Sequence, residues 1–296
     1  MEVAAAVNLP QKGVKVEGTL FLPQNTSRVR AVIVLLNSGY SWEGMGGAFY
    51  HDPELRKLAG TLECGLLLPR ITDIVQGDAP SGIFLRNAGL GGSDGLVLLL
   101  DRLAQESGHR ELTGAPLLLW AHSRAGHFAA RLAALYPRRT VAIDGYHMGG
   151  AGFTGHDKDI LSNIPALILM ARADIEANAN RPGWPWPPAE TVWRNGRSIG
   201  ARWTFGVEPD AVHQNPADLK KANDLVIPWI AAVLRQRLSP GNGELRVLSD
   251  ASAFLGNIQT GEIAPFSVFP GSKREATWLP DEQSARGWRV VVGATK

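Results

Sequence analysis

A serine, an aspartate and a histidine occupy positions from which their side chains can act together. Ser123, Asp174 and His213 each follow a predicted strand, at residues 117–121, 164–170 and 202–207; the first two of these segments are apolar throughout. A serine hydroxyl is a weak nucleophile until a base removes its proton, and imidazole titrates near neutral pH. A carboxylate fixes the tautomer of that imidazole and stabilises its protonated form. These three residue types predict nucleophilic acyl chemistry at Ser123.

The neighbours of Ser123 favour the same interpretation. The motif Ala121-His122-Ser123-Arg124-Ala125 joins the apolar run to a helical pattern, and the usual form of such a turn is G-x-S-x-G. Ala121 and Ala125 stand where the usual motif has glycine. Both are still small, and small residues are needed there because the backbones pass close to each other. The alternative is that Ser123 is an N-cap, because serine is a favoured residue at that position.

The order serine, aspartate, histidine places all three residues at one edge of a predicted parallel sheet. That edge, at the carboxyl ends of the strands, is where open α/β sheets bind ligands. Two other acids are alternatives to Asp174: Asp144 ends the preceding strand, and Glu176 follows two residues later. His122 is interpreted as a packed residue that points away from Ser123. His147 is interpreted as a structural residue whose position at a strand end also suits the wall of a pocket.

Composition excludes several classes of protein. The chain has 296 residues, 45% of them hydrophobic, which suffices for a large core. The net charge is +2 and basic runs are short, so nucleic acid is not an expected partner. No apolar stretch reaches about 18 residues, as a membrane span requires. The single cysteine, Cys64, excludes an internal disulfide.

The sequence does not fix the compartment of this protein. Its first residues, Met-Glu-Val-Ala-Ala-Ala, lack the basic and apolar regions of a signal peptide. We therefore expect either a cytoplasmic protein or a secreted or periplasmic protein whose signal peptide is absent from this sequence.

The predicted elements alternate as in a mostly parallel sheet flanked by helices. Besides the three strands named above, we predict an antiparallel edge strand at 14–22, strands at 31–36 and 140–143, and a short strand at 65–68 ended by Pro69. Helices are predicted at 53–61, from residue 91 onward, after Ser123, and at 219–238. Pro228 is expected to kink or divide the last helix.

Two regions depart from this alternation. Between Ile175 and Ala201 lies a proline-rich insertion followed by a plausible helix; its Trp184 and Trp186 either cover the core or line a substrate site. The chain after residue 238 begins with a glycine-rich linker. We expect residues 239–296 to be an extension packed on the core, with a possible strand at 245–248. A Pro-initiated helix should bury Trp278 and Trp288, and a substrate-facing lobe is the alternative.

Together, these residues resemble the α/β-hydrolase superfamily, and most closely its serine esterases of the carboxylesterase and cutinase-like kinds, over residues 14–238. The resemblance rests on the motif around Ser123, on the order of the three residues and on Asn37-Ser38-Gly39-Tyr40, which stands where the family has its first oxyanion loop. It implies a catalytic domain at residues 1–238 with the α/β-hydrolase fold.

The resemblance also implies a function: hydrolysis of a small-molecule or polymeric ester without metal or cofactor. The backbone N–H groups of Tyr40 and Arg124 would stabilise the oxyanion, with Gly39 beside them at the substrate or as donor if the loop is shifted. Trp184 and Trp186 would contact substrate. An amidase, peptidase or dienelactone-type hydrolase on the same triad is an alternative, as is a catalytically silent fold that serves as a binding module.

Overall fold

The computed structural model describes residues 1–24, 26–37, 44–73, 91–148, 153, 158–179, 188–239 and 244–293. Within these ranges the strands are β1 Glu2–Leu9, β2 Val14–Phe21, β3 Ala31–Leu36, β4 Cys64–Asp73, β5 Leu117–His122, β6 Thr140–Tyr146, β7 Ala166–Ala171, β8 Trp203–Glu208, β9 Phe254–Gly256, β10 Ile263–Pro265 and β11 Thr277–Leu279. The helices are α1 Met45–Tyr50, α2 Pro53–Leu62, α3 Gly92–Ser107, α4 Ala125–Leu135, α5 Lys158–Leu161, α6 Arg172–Ala179, α7 Ala189–Ser198, α8 Pro216–Arg237 and α9 Glu282–Val291. No described helix combines the length and the apolar character that a membrane span needs.

A single mixed sheet organises the described chain. Its eight strands run in the order β1-β2-β4-β3-β5-β6-β7-β8. β1, β2 and β4 pair antiparallel, and every pair from β4 to β8 is parallel. The carboxyl ends of β5, β7 and β8 therefore meet at one edge, as the sequence predicted. The predicted class, a mostly parallel sheet flanked by helices, is confirmed.

Helices cover both faces of this sheet, which explains why its central strands are apolar throughout. β3, β5, β6 and β7 are buried at every residue, as expected for parallel strands covered on both faces. One face packs on α3, α4 and α7. The other packs on α1, α2, α8 and α9.

The antiparallel end of the sheet differs from the prediction. β2 is not the edge strand, because β1 pairs with all eight of its residues, from Glu2 opposite Phe21 to Leu9 opposite Val14. Three successive alanines give this segment little strand propensity of its own. β1 is stabilised by its pairing with β2. It is also stabilised by Val3 and other alternate residues on one of its faces, which pack on the core.

β4 is longer than predicted and continues through Pro69 to Asp73. β3 pairs with β4 only as far as Leu67, whereas β2 pairs with it up to Asp73. Pro69 therefore lies where β4 has a single neighbour in the ladder. Because β3 does not pair with β4 at this point, the missing N–H of Pro69 costs no hydrogen bond to β3. Proline is tolerated in a sheet at such positions.

α8 is one continuous helix, so Pro228 does not divide it, and the alternative that Pro228 kinks it stays a prediction. The helix spans Pro216–Arg237 with Pro228 inside it. A proline in a helix interior costs about 3 kcal/mol. Each fully buried side chain such as Leu225, Trp229 or Val233 contributes about 1.5–3 kcal/mol or more. Burial of this apolar face outweighs the lost backbone bond.

The chain after residue 243 forms a small antiparallel sheet, β10-β9-β11, and helix α9. The predicted burial of Trp278 and Trp288 is confirmed, since both are fully buried. The predicted Pro-initiated helix is wrong in detail, because Trp278 lies on β11 and α9 is capped by Asp281. The Asp281 side chain accepts from the Ser284 N–H at 2.8 Å. The possible strand at 245–248 is reduced to one bridge between Leu238 and Leu245.

This extension is hydrogen-bonded to the main sheet. Arg197 of α7 donates to the Ala276 carbonyl at 2.8 Å, and the Trp288 indole donates to the Phe205 carbonyl of β8 at 2.7 Å. Gly287 allows α9 to approach α8 closely, since a Cβ there would lie 1.9 Å from the Asp224 carbonyl oxygen. The division into a domain at 1–238 and an extension at 239–296 stays a prediction.

Candidate active site

Ser123 lies on a sharp turn between β5 and α4. β5 ends at His122 and α4 begins at Ala125, so two residues make the connection. The φ angle of Ser123 is +58°, a left-handed conformation that costs a non-glycine residue about 1–3 kcal/mol. Its N–H donates to the Tyr146 carbonyl of β6 at 3.2 Å, which helps to hold the turn. The N-cap of α4 is Arg124 and makes no side-chain capping bond, so the alternative role of Ser123 as a cap finds no support.

Small residues surround this turn because the backbone passes close to its neighbours. Ala121 and Ala125, which flank Ser123, are fully buried. A Cβ at Gly126 would lie 2.5 Å from the sulfur of Met148. The first turn of α4 therefore packs closely on the segment that follows β6. The Ser123 hydroxyl lies at the edge of the sheet.

Ser123, His213 and Asp174 form a continuous hydrogen-bonded chain. His213 Nε2 lies 2.8 Å from Ser123 Oγ, and His213 Nδ1 lies 2.8 Å from Asp174 Oδ2. With the ring neutral, Nδ1–H donates to the carboxylate and Nε2 accepts from the serine hydroxyl. The His213 side chain is 44% exposed and that of Asp174 is 15% exposed. The base is thus open to solvent, and the acid behind it is largely covered.

Asp174 lies in a helix that was not predicted from the sequence. Helix α6 begins at Arg172 directly after β7, which places Asp174 in the first turn of a helix. Carboxylates are favoured in that position because the helix dipole is positive at its N-terminus. The helix also fixes the backbone of the residue that must hold the His213 ring.

Two buried histidines anchor the backbone of His213. The Nε2 atom of His122 and the Nδ1 atom of His147 lie 2.8 Å and 3.1 Å from the His213 carbonyl oxygen. Because a carbonyl oxygen can only accept, both of these nitrogens carry a proton. His122 is buried as expected, and its bond to the His213 backbone adds a role that the sequence did not predict.

Glu208 extends this network behind His147. His147 Nε2 lies 2.8 Å from Glu208 Oε2, and both side chains are buried. Since Nδ1 of His147 is already a donor, this second contact needs one further proton, on either Nε2 or the carboxyl group. Burial raises the pKa of Glu208, while its hydrogen bond to His147 lowers that pKa and opposes the shift. One proton thus lies between the two groups.

His122 is a neutral donor. Burial lowers its pKa to about 4. Its Nδ1 atom is buried and has no hydrogen-bond partner among the described residues. At neutral pH the ring therefore donates from Nε2 and keeps an unpaired acceptor at Nδ1, which suits a positioning residue and not a proton shuttle.

Neither alternative acid contacts His213 in the described part of the chain. Asp144 is fully buried beneath the sheet edge, and neither of its carboxyl oxygens has a hydrogen-bond partner there. Burial raises its pKa well above the usual value. Glu176 is exposed on α6. Of the three acids, Asp174 is the one that the structure brings to His213.

One of the two predicted oxyanion donors can be located. The Arg124 N–H, at the start of α4, makes no hydrogen bond to any described residue and so remains available to a ligand. The positive end of the α4 dipole strengthens such a donor. Tyr40, Gly39, Trp184 and Trp186 lie outside the described residues, and their predicted roles are untested.

Within the described ranges, no three His, Cys, Asp or Glu side chains are grouped so that they could hold a metal ion. The described polar groups that converge at the sheet edge include those of the Ser123 chain and of the network behind it. Their arrangement suits proton transfer to and from a serine hydroxyl.

The roles of His147 and Glu208 were missed in the sequence. A signal was present, because His147 follows β6 and Glu208 ends β8, at the same edge as the three predicted residues. Spacing alone does not reveal that the two side chains meet across β7.

No protein-family model matches this sequence, and no curated protein is similar to it in sequence. Solved structures are similar in fold. An S-formylglutathione hydrolase from Agrobacterium tumefaciens is similar with a TM-score of 0.52 and 11% identity, over 79% of this chain and 95% of that one. A ferulic acid esterase is similar with a TM-score of 0.52 and 13% identity, over 79% and 98%.

A thermostable esterase aligns with 70% of this chain at 15% identity and a TM-score of 0.48, and the alignment spans 54% of that esterase. At such identities the likeness concerns the fold alone. The α/β-hydrolase fold predicted from the sequence is confirmed.

Proposed function

We propose that this protein is a serine hydrolase that cleaves carboxylic esters through an acyl-enzyme intermediate. Ser123 is the nucleophile, His213 the general base and Asp174 the acid that orients it. The observation that carries the proposal is the unbroken chain of 2.8 Å contacts from Asp174 through His213 to Ser123. The left-handed backbone at Ser123, between β5 and α4, supports it independently.

The reaction proceeds in two stages on this geometry. His213 Nε2 removes the hydroxyl proton as Ser123 Oγ bonds to the acyl carbon, and Asp174 stabilises the imidazolium that forms. The imidazolium then protonates the leaving alcohol as the ester C–O bond breaks. In the second stage His213 takes a proton from water, whose oxygen attacks the acyl-serine, and returns it to Ser123.

The oxyanion of each tetrahedral intermediate lies against backbone donors. Arg124 supplies one N–H at the start of α4, and we assign the second to Tyr40 on the basis of the sequence. Such a donor contributes about 3 kcal/mol of transition-state stabilisation because it is fixed before the reaction begins. Gly39, Trp184 and Trp186 are proposed substrate contacts on sequence grounds.

The substrate class follows from access to the site. Because His213 is exposed beside Ser123, the reacting groups can be approached from solvent. This suits a small-molecule ester and also the ester bond of a polymer.

The test is labelling with a fluorophosphonate, which reacts only with an activated serine. We expect the wild type and the Ser198→Ala control to be labelled and Ser123→Ala to remain unlabelled. Ser198 is an exposed serine at the end of α7, and its hydroxyl donates to the Asn195 carbonyl at 2.8 Å. Hydrolysis of p-nitrophenyl acetate by Ser123→Ala should fall by at least about 10⁴-fold.

An unlabelled wild type would instead identify a catalytically silent fold. Comparison of the p-nitrophenyl ester with the matching p-nitroanilide separates an esterase from an amidase. A kcat/KM for the anilide equal to that for the ester would contradict the ester assignment while leaving the triad intact.

A further inference from the structure

A second cavity lies at the opposite edge of the sheet from Ser123. Its volume is about 540 Å³, within the range of small-molecule sites. Its walls come from the chain just before β6, β7 and β8, from the end of α8 and from residues 244–248. β6 has seven residues, so at about 3.3 Å per residue roughly 20 Å of strand separates this cavity from the candidate active site.

The wall of this cavity is strongly basic. Arg138, Arg202, Arg237 and Arg246 line it, whereas Glu244 is the one acid among the lining residues that the structure describes. Arg202 is already neutralised, because it donates to both carboxylate oxygens of Asp250 at 2.8 and 3.1 Å. Arg138, Arg237 and Arg246 form no ion pair with a described carboxylate.

Arg237 is buried without a counter-charge among the described residues. It is 9% exposed and donates from one terminal nitrogen to the Thr140 carbonyl at 3.2 Å, and its Nε has no hydrogen-bond partner among the described residues. Burial and the neighbouring Arg202 lower its pKa to about 10. A buried guanidinium that lacks an acid destabilises the fold, and an anion placed in the adjoining cavity would supply the missing charge.

Apart from the uncharged polar residues Ser162 and Asn163, the remaining wall is apolar. Pro137, Ile164 and Pro165 form the side provided by the main sheet, and Leu245, Val247 and Leu248 form the side provided by the extension. Val247 is 87% exposed, so an apolar surface is open to a ligand. Inorganic phosphate would use the arginines and leave this surface uncovered.

We infer that this cavity is a binding site for a small organic anion, with its carboxylate or phosphate on Arg138, Arg237 and Arg246 and its hydrocarbon part against the Leu245–Leu248 side. The inference is independent of the proposed hydrolase function. Because the ligand would touch both the main sheet and residues 244–248, it should also fix the extension against the core.

Calorimetric titration of the full chain with octanoate, octyl phosphate, octanol and inorganic phosphate tests this inference. We expect both octyl anions to bind, octanol and inorganic phosphate to bind at least about tenfold more weakly, and affinity to fall with added salt. Arg138→Gln and Arg246→Gln should each weaken the octyl anions by about tenfold, the usual effect of losing a charge-assisted hydrogen bond. Arg110→Gln, an exposed arginine outside the cavity, is the matched control.

Amide hydrogen exchange identifies the segment that the ligand contacts. It needs no substitution at the buried Arg237. Octanoate should slow exchange at residues 244–248 in the wild type, and this protection should diminish in Arg246→Gln. No binding by either octyl anion would overturn the inference. Octanol binding as tightly as octanoate, or affinities unchanged in both arginine variants, would also overturn it. Equal binding of inorganic phosphate would overturn the apolar half of the site.

Discussion

The polar residues at the carboxyl edge of the sheet contrast with those buried one layer below. At the edge, Ser123, His213 and Asp174 are joined by two contacts of 2.8 Å, and the His213 side chain is 44% exposed. Below, Asp144 and the Tyr146 hydroxyl lack hydrogen-bond partners in the described part of the chain, and both side chains are buried.

This contrast shows why a position at a strand end does not by itself identify a catalytic acid. Asp174 follows β7, whereas Asp144 lies inside the neighbouring strand β6. Burial raises the pKa of Asp144 well above its usual value and favours its neutral form. A neutral carboxyl group cannot stabilise an imidazolium. Asp174, unlike Asp144, contacts His213 Nδ1, at 2.8 Å.

Substitutions of Asp174 and Asp144 should differ most in their effect on kcat. Asp174→Asn is expected to lower kcat by about 10⁴-fold, because an amide favours the wrong tautomer of His213. Asp144→Asn should remain within about tenfold of wild type, because its side chain does not contact the chain of reacting groups. Steady-state kinetics on an aryl ester measures both. A crippled Asp144→Asn beside an active Asp174→Asn would reverse the assignment.

The sequence predicted the parts of this arrangement that depend on local pattern. Ser123, Asp174 and His213 each follow a predicted strand, and parallel strands must place such residues at one edge. β1 was missed because its alanines form a strand only beside β2. The helix at Asp174 was missed because it begins without a loop after β7. The contact between His147 and Glu208 depends on the spacing of β6 and β8 across β7, which no local pattern encodes.

The buried His122 should make the fold sensitive to acid. Its folded pKa of about 4 lies below the ordinary value of 6.5, so the unfolded chain binds more protons between these pH values. Stability is therefore lost as pH falls from 6.5 to 4, by up to about 3 kcal/mol. Urea unfolding of wild type and His122→Gln across this range measures it, since glutamine does not titrate. Equal pH dependence in the two proteins would refute the assignment of a depressed pKa.

The network behind His213 should affect kcat more than KM. Loss of the anchor in Glu208→Ala is expected to lower kcat by about tenfold, because a loosened His213 samples fewer productive positions. Glu208→Gln should retain most activity near neutral pH, because its amide can donate to Nε2 of a neutral His147. The exposed Glu176→Ala serves as the control.

A pH profile of kcat/KM separates this positioning role from a purely structural one. Wild type should lose activity as pH rises through the raised pKa of Glu208, whereas Glu208→Gln has no such proton to lose and should not show this loss. If kcat/KM falls with rising pH in the same way in wild type and Glu208→Gln, the network does not position His213. The same conclusion would follow if Glu208→Ala changed only the melting temperature.

The smallest effect is expected on the free energy of unfolding when the Tyr146 hydroxyl is removed. This hydroxyl is buried without a hydrogen-bond partner among the described residues. Tyr146→Phe retains the ring that stacks on His147 at 3.9 Å between centroids and removes only the unsatisfied hydroxyl. Because no hydrogen bond is lost, stability should stay unchanged or rise by up to about 1 kcal/mol. Thr204→Val is the matched control, since the Thr204 hydroxyl accepts from the Trp229 indole at 2.8 Å and its loss should destabilise by about 1–3 kcal/mol. Urea unfolding of both variants decides the comparison, and a Tyr146→Phe variant destabilised as much as Thr204→Val would mean that the hydroxyl is hydrogen-bonded in solution.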